Sequence, residues 1–451
     1  MTTLSSQIGA FVSTLTLETL PAAVVEKARA CLLNAYGMGL NGHATAFAPV
    51  ARRAAIAMGG EVAHGATLLG DGRRTTLPGA FLANSALFHG RAQEDSCGAA
   101  HFGTVLIPML TALVEVRGYP LARLIPALVA GYEAGGLLES AFAAQTTPGG
   151  FRSTATYGAI AAAAAAARLM DLDAARTATA IANAASFTGG ILQSFTDGTD
   201  EWRYQPGLVA QNGLVAAELA REGAIAAPHA IEGKTGLARS FARVEAPADL
   251  AAGLGTEWAT LRVTFKPFPV CAFNQTPVTG ALVLREELSG RLPDAVRVRM
   301  NPYETGYAGM DARGPFNSIS GTLMSIPFCI ATTLIHGVPT TRHMTTYDDA
   351  EVAALIDRTT LVTDPSVPVL SAIIEVDTPE GTRVREQRMT PKDYAYDLPT
   401  LSAMLRRIGR EEGVDMAAFD RLEAFVTALP GGDIRDAVAA FQLPLAGQVA
   451  A

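Results

Sequence analysis

The run from residue 89 to residue 108, HGRAQEDSCGAAHFGTVLIP, gathers Arg91, Glu94, Asp95, Ser96, Cys97 and His101 into a short stretch. His101 stands just ahead of a helix-like apolar run over 105–114. The positive end of a helix dipole favours neutral imidazole, the form that can act as a base near neutral pH. The plainer role for such a histidine is to satisfy loop backbone. Glu94, Asp95 and Ser96 could bind a substrate through hydroxyl or water contacts, or orient His101. They could equally serve as turn and cap residues. Two carboxylates with no second histidine close by argue against a metal site.

A second polar group lies in FKPFPVCAFNQTP, residues 265–277, with Lys266, Cys271, Asn274 and Gln275. The chain has only four lysines, Lys27, Lys234, Lys266 and Lys392, so one inside so apolar a run is not routine surface decoration. An ammonium there can neutralise a substrate carboxylate or an enolate-like intermediate. A lysine that snorkels at a domain edge is the plainer alternative. Arg152 in GGFRSTATYG and Arg203 in DGTDEWRYQPG are candidate carboxylate clamps, since guanidinium groups bind carboxylates in a bidentate fork. Asp200 and Glu201 could instead take Arg203 as an ion-pair partner. Tyr303 and Tyr307 follow an alternating segment in a glycine-containing loop. Either could donate a proton or simply pack as a loop aromatic.

These residues must be held by elements legible in the pattern. Helical periodicity runs over 21–41, 46–58, 78–92, 104–116, 120–142, 155–169, 172–187 and 206–222. Alternation begins near 260 and recurs over 295–300, 372–376 and 382–389. The last two flank Thr378-Pro379-Glu380-Gly381, a hairpin turn. Helical stretches at 271–288, 318–335 and 348–357 lie between them, and helical patterning returns over 397–442. The expected fold is mainly α with an α+β second domain. Residues 1–259 and 393–451 form a large all-helical domain, and 260–392 a smaller α+β domain inserted before the C-terminal helices.

At 451 residues the chain exceeds what one core usually serves, which fits two domains. Hydrophobic residues make up 49% and charged residues 17%, which excludes a disordered chain. A net charge of −8 without a Lys/Arg cluster leaves no footprint for nucleic acid. The four cysteines, Cys31, Cys97, Cys271 and Cys329, show neither zinc spacing nor a disulfide framework, so a reducing, cytoplasmic setting is expected. The alanine-rich run over 159–167 reads as a tightly packed core helix, and no membrane partner is expected. No GxxxxGK[ST] loop, GxSxG elbow or HExxH is present.

Five segments together resemble the MmgE/PrpD family, which includes 2-methylcitrate dehydratase, cis-aconitate decarboxylase and iminodisuccinate epimerase. They are NSALFHGRAQEDSCGAAHFGTVLIP, GGFRSTATYGAIAAAAAAARL, WRYQPGLVAQNGLVAAELA, IEGKTGL and VTFKPFPVCAFNQTPV, in the family's order over 84–278. The resemblance implies a helical domain with a smaller α/β lid, a homodimer, and a cleft for small di- or tricarboxylates with no metal or organic cofactor. His101 falls on the family's active-site histidine, Ser96 on a threonine of the site, and Lys266 on a site lysine. Three polar groups are lost. The family's acidic run reads Ala92-Gln93-Glu94-Asp95 here, Trp202 stands for a second site lysine, and Cys271 for a histidine. The implied activity is a cofactor-independent lyase, foremost a hydro-lyase, that takes a proton α to a carboxylate. Epimerisation through the same carbanion, decarboxylation, or carboxylate binding without turnover are the alternatives.

Overall fold

In the computed structural model, which describes residues 2–442, the chain divides into two compact units. The first comprises 1–191, 203–265 and 395–451. The second comprises 192–202 and 266–394. The first boundary therefore falls after Phe265, not at 259, and a short segment before Arg203 joins the second unit. The C-terminal helices belong with the first unit.

The first unit is built around the helix Ser153–Leu169, every residue of which is buried. Its alanines leave no bulk to hold neighbours away, so the helices Leu124–Thr146 and Gln205–Arg221 pack directly on it. Glycines on the neighbours complete the approach. A Cβ on Gly135 would lie 2.8 Å from the Ala161 methyl, and one on Gly213 would collide with Ala162. A larger side chain at either position would force the helices apart, and overpacking of this kind costs about 1–3 kcal/mol or more. The stretch Leu121–Thr146 is long and apolar enough to cross a membrane, but 78% of its apolar window is buried inside the protein. It is thus a core element. The helix Ala22–Asn41, with Pro21 at its N-cap, receives the C-terminal helix Leu398–Glu411, whose Leu405 side chain lies against Gly37. Asp397, Asp415 and Asp433 each cap a helix of this C-terminal group by accepting a backbone N–H.

Two small ribbons belong to the first unit. β1 (Ala66–Thr67) pairs with β2 (Arg74–Thr75), and β3 (Asp95–Ser96) pairs antiparallel with β4 (Thr264–Phe265). The alternation over 260–265 is only partly a strand. Residues Ala259–Arg262 form a 3₁₀ turn because the Glu133 carboxylate accepts from the backbone N–H groups of Ala259 and Thr260.

The second unit carries a four-stranded sheet. β5 (Ala295–Met300) lies between β6 (Thr359–Thr363), parallel to it, and β7 (Ser371–Thr378), antiparallel; β7 turns back into β8 (Gly381–Arg388). The hairpin turn falls at 378–381 as the sequence predicts. Val296, Val298 and Met300 face the core, while Arg297 and Arg299 on the other side pair with Glu375, Asp377 and Asp364. Helices Gln275–Glu287 and Ile326–His336 complete this α/β unit. The predicted helix over 318–335 is broken at Ser325, which caps the second piece ahead of Pro327. β6 was not legible, since TTLVT is short and follows a helix directly.

Candidate active site

The predicted helix over 78–92 ends at Phe88. His89 caps it, and Ala92 takes a left-handed backbone with φ of 58°. The chain therefore leaves the helix abruptly, and the polar loop that follows is folded into the interior. His89, Glu94 and Asp95 are no more than 1% exposed. β3 pins the loop to β4, with Asp95 opposite Phe265. A tight turn bridged between Cys97 and Ala100 then delivers His101. Gly98 turns with φ of +61° and lies against the Glu139 carboxylate, leaving no room for a Cβ. Glu139 accepts the Ala99 N–H at 2.8 Å. Burial pushes the Glu139 carboxyl up to about 7, against the opposing influence of that N–H and of Arg262.

His101 sits two residues ahead of the helix Gly103–Arg117 and its side chain is 15% exposed. Its backbone is fixed from both directions. The N–H donates to Thr154 Oγ1 at 3.0 Å, and the carbonyl accepts from Thr104 Oγ1 at 2.8 Å. Its Nδ1 lies 2.8 Å from the Asp95 carbonyl and 3.3 Å from Ser96 Oγ. A carbonyl oxygen can only accept, so Nδ1 carries the proton in neutral His101 and Nε2 is the basic nitrogen. Glu94 Oε1 stands 3.5 Å from the same Nδ1. Two fields compete at the ring. The helix N-terminus disfavours the imidazolium by about 0.3–1 kcal/mol. The Glu94 carboxylate beside Nδ1 acts in the opposite sense and favours the imidazolium that forms when Nε2 accepts a proton.

A second histidine, absent from the sequence reading as a site residue, lies beside it. His89 Nδ1 is 2.9 Å from Glu94 Oε2, and His89 Nε2 is 2.7 Å from Arg152 Nη2. A guanidinium has no acceptor, so Nε2 must accept, which leaves the ring's proton on Nδ1 beside the Glu94 carboxylate. His89 is thereby a neutral link between a buried carboxylate and a buried guanidinium. Arg152 stands at the N-cap of Ser153–Leu169, and its Nη1 donates to Gln205 Oε1 at 3.1 Å. The two imidazole rings are 5.7 Å apart. Contrary to the expectation from sequence, a second histidine therefore does lie near the loop's carboxylates. Even so, no group of His, Cys, Asp and Glu among the described residues is arranged to hold a metal ion.

Other predicted residues have different surroundings. Asp95, expected to bind substrate, directs its carboxylate inward: Oδ1 accepts the Gly103 N–H at 3.1 Å and Oδ2 accepts the Tyr132 hydroxyl. It positions the loop and the helix behind it. Arg203, offered as a clamp, is fully buried with its guanidinium 3.8 Å from the Phe47 ring centre and its Nε 3.5 Å from the Gly90 carbonyl. Those contacts brace the start of the loop. Lys266 is 4% exposed and follows Phe265 of β4 directly.

Trp202, Cys271, Tyr303 and Tyr307 lie in the second unit. Trp202 is buried, its Nε1–H donates to Ser320 Oγ at 3.1 Å, and its ring packs on Phe195. Tyr303 and Tyr307 both meet Phe273 edge-on. Cys271 is half-buried at the start of a 3₁₀ turn, and its N–H donates to the Leu323 carbonyl.

His89, Tyr132, Glu139, Thr154 and Gln205 were not singled out in the sequence. The signal for His89 was a histidine closing an apolar helix. The others sit within apolar or alanine-rich helices, where only tertiary contact reveals a role.

The MmgE/PrpD N-terminal domain model matches residues 6–248, and the MmgE/PrpD C-terminal domain model matches residues 268–393. The chain is 26% identical over 449 residues to the cis-aconitate decarboxylase-like protein oryM of Aspergillus oryzae, covering 91% of each. It is 25% identical over 358 residues to the cis-aconitate decarboxylase of Aspergillus terreus, covering 73% of this chain and 71% of that protein.

Proposed function

For a chain that belongs to the MmgE/PrpD family, we propose an enzyme that moves a proton at the carbon α to a carboxylate of a small polycarboxylate. The observation that carries the proposal is His101, held by the Asp95 carbonyl so that Nε2 is its base, with Glu94 behind it. The names of the relatives support a carboxylate as the substrate class.

The reaction we favour is the addition or elimination of water. Nε2 of His101 takes the α-proton. The C–H electron pair becomes the new C–C π bond, and the hydroxyl on the neighbouring carbon leaves as water after protonation. A positioned base of this kind contributes about 10²–10⁴ in rate. Buried positive charge on Arg152 would offset the charge that develops on the carboxylate.

Decarboxylation is the second reading, favoured by the names of the matched relatives. Two substitutions weigh against it. Where decarboxylase-like members carry a lysine and a histidine, this chain has Trp202 and Cys271. The indole N–H of Trp202 is engaged with Ser320, so that position supplies no cation. Each carboxylate left buried and unpaired costs several kcal/mol, which favours a dicarboxylate over a tricarboxylate.

The test is a panel of di- and tricarboxylates, cis-aconitate among them, followed in D₂O by proton NMR. The expected result is dehydration or hydration with deuterium entering at carbon, and little or no itaconate. Itaconate formed at about 1 s⁻¹ or faster would favour decarboxylation. Deuterium entering an otherwise unchanged substrate would favour epimerisation. If no acid on the panel is turned over or exchanged, the proposal fails.

A further inference from the structure

The second unit holds a separate cluster of cationic and hydroxyl side chains with no part in the chemistry above. A cleft of about 260 Å³ opens where the helix Ile326–His336, the turn Thr341–Met344 and the helix Ala350–Asp357 meet. That is below the ~300–1,000 Å³ of ordinary small-molecule sites, so its occupant must be small. Phe328 and Val352 supply apolar wall, and the rest of the lining is polar.

The histidine rings stack, His336 on His343, with centres 5.0 Å apart and planes 20° from parallel. Both tautomers follow from their partners. His336 Nε2 lies 2.8 Å from Asp349 Oδ2, so it donates. His343 Nδ1 accepts the Thr340 N–H at 3.3 Å, which leaves its proton on Nε2. Asp349 is the one carboxylate in the lining, and both of its oxygens are committed. Oδ1 accepts the N–H groups of Glu351 and Val352, and Oδ2 faces His336.

Two donors remain. The Arg342 guanidinium makes no hydrogen bond or ion pair among the described residues. Thr332, 1% exposed, has a fully enclosed hydroxyl with no hydrogen-bond partner among the described residues. A buried hydroxyl left unmatched keeps its desolvation penalty. A cation and an imidazole N–H line one small cleft whose one carboxylate is already engaged, with an unmatched hydroxyl enclosed in its wall. Arg285, whose Nη2 approaches the Ile335 carbonyl at 3.4 Å, adds positive charge from the helix Gln275–Glu287 at the same end of Ile326–His336.

We propose that this cleft is a binding site for a small oxyanion, a carboxylate or a phosphate, with Arg342 as its principal contact. The reading is independent of the reaction assigned to the first unit.

The experiment is calorimetric titration of the full chain with inorganic phosphate and, separately, with succinate. It is run near neutral pH in a buffer free of both anions. Arg342→Gln alters an exposed side chain with no internal partner, so its thermal melt should match the parent's. It should weaken at least one of the two anions ~10-fold or more, the loss expected for one charge-assisted contact. Arg342→Lys should retain most of the affinity, which keeps the test meaningful if the glutamine variant melts early. Loss confined to phosphate identifies a phosphate site, and loss confined to succinate a carboxylate site. Equal binding of both anions by parent and Arg342→Gln overturns the proposal. So does a parent protein that binds neither anion.

Discussion

Replacing Glu139 by Gln should stabilise the protein at alkaline pH while leaving it unchanged in acid. Glu139 is 6% exposed, and burial raises its carboxyl from 4.5 to about 7. In the unfolded chain the same group titrates near its ordinary value. Between about pH 4.5 and 7 the native state therefore holds a proton that the unfolded state has lost. Stability falls with rising pH wherever the native state binds more protons. The shift amounts to about 3 kcal/mol, lost progressively across that window and absent below it. Glutamine keeps an oxygen for the Ala99 N–H and never ionises, so it escapes the loss. The assay is urea unfolding of parent and variant, read as midpoints at about pH 4 and pH 8. The two midpoints should coincide at the lower pH. At the higher pH the variant's should exceed the parent's by on the order of 1 M, taking ~3 kcal/mol for each molar step in urea. Groups common to both proteins cancel in that difference. A variant that unfolds earlier at pH 8 would show that the turn before His101 needs the charge, and would refute the reasoning.

His101→Ala should abolish turnover while circular dichroism and the melting midpoint stay near the parent's. The backbone bonds of His101 to Thr154 and Thr104 do not depend on the imidazole. A kcat within threefold of the parent would remove His101 from the mechanism. Lys266→Met should weaken carboxylate binding by about 1.5–3 kcal/mol, the worth of one charge-assisted contact, and do so more than it lowers thermal stability. Unchanged affinity in a direct titration would make Lys266 a structural residue.

The α+β unit was read in outline from alternation alone, because Val296, Val298 and Met300 must face one way while Arg297 and Arg299 face the other. The helical unit was equally legible from its 3.6-residue period. The predicted domain limits differed from the observed ones near 260, because the Glu133 carboxylate draws the backbone into a 3₁₀ turn from 126 residues away. The segment 192–202 was missed for a related reason. Its assignment to the second unit comes with contacts such as Trp202 to Ser320, which no local pattern announces.

The sequence by itself determined that a compact set of polar side chains lies in an apolar chain, and that His101 stands at a helix start. Residue type and spacing are local properties, and they suffice for that. Only the tertiary structure decided what each group does. It turned Asp95 inward to Tyr132 and the Gly103 N–H, laid Arg203 on Phe47, and made His89 the link between Glu94 and Arg152. The role of an ionisable side chain is fixed by the partners that satisfy it once water is excluded. Those partners, Tyr132, Phe47 and Arg152, lie tens of residues away along the chain and meet the loop only when the helices pack.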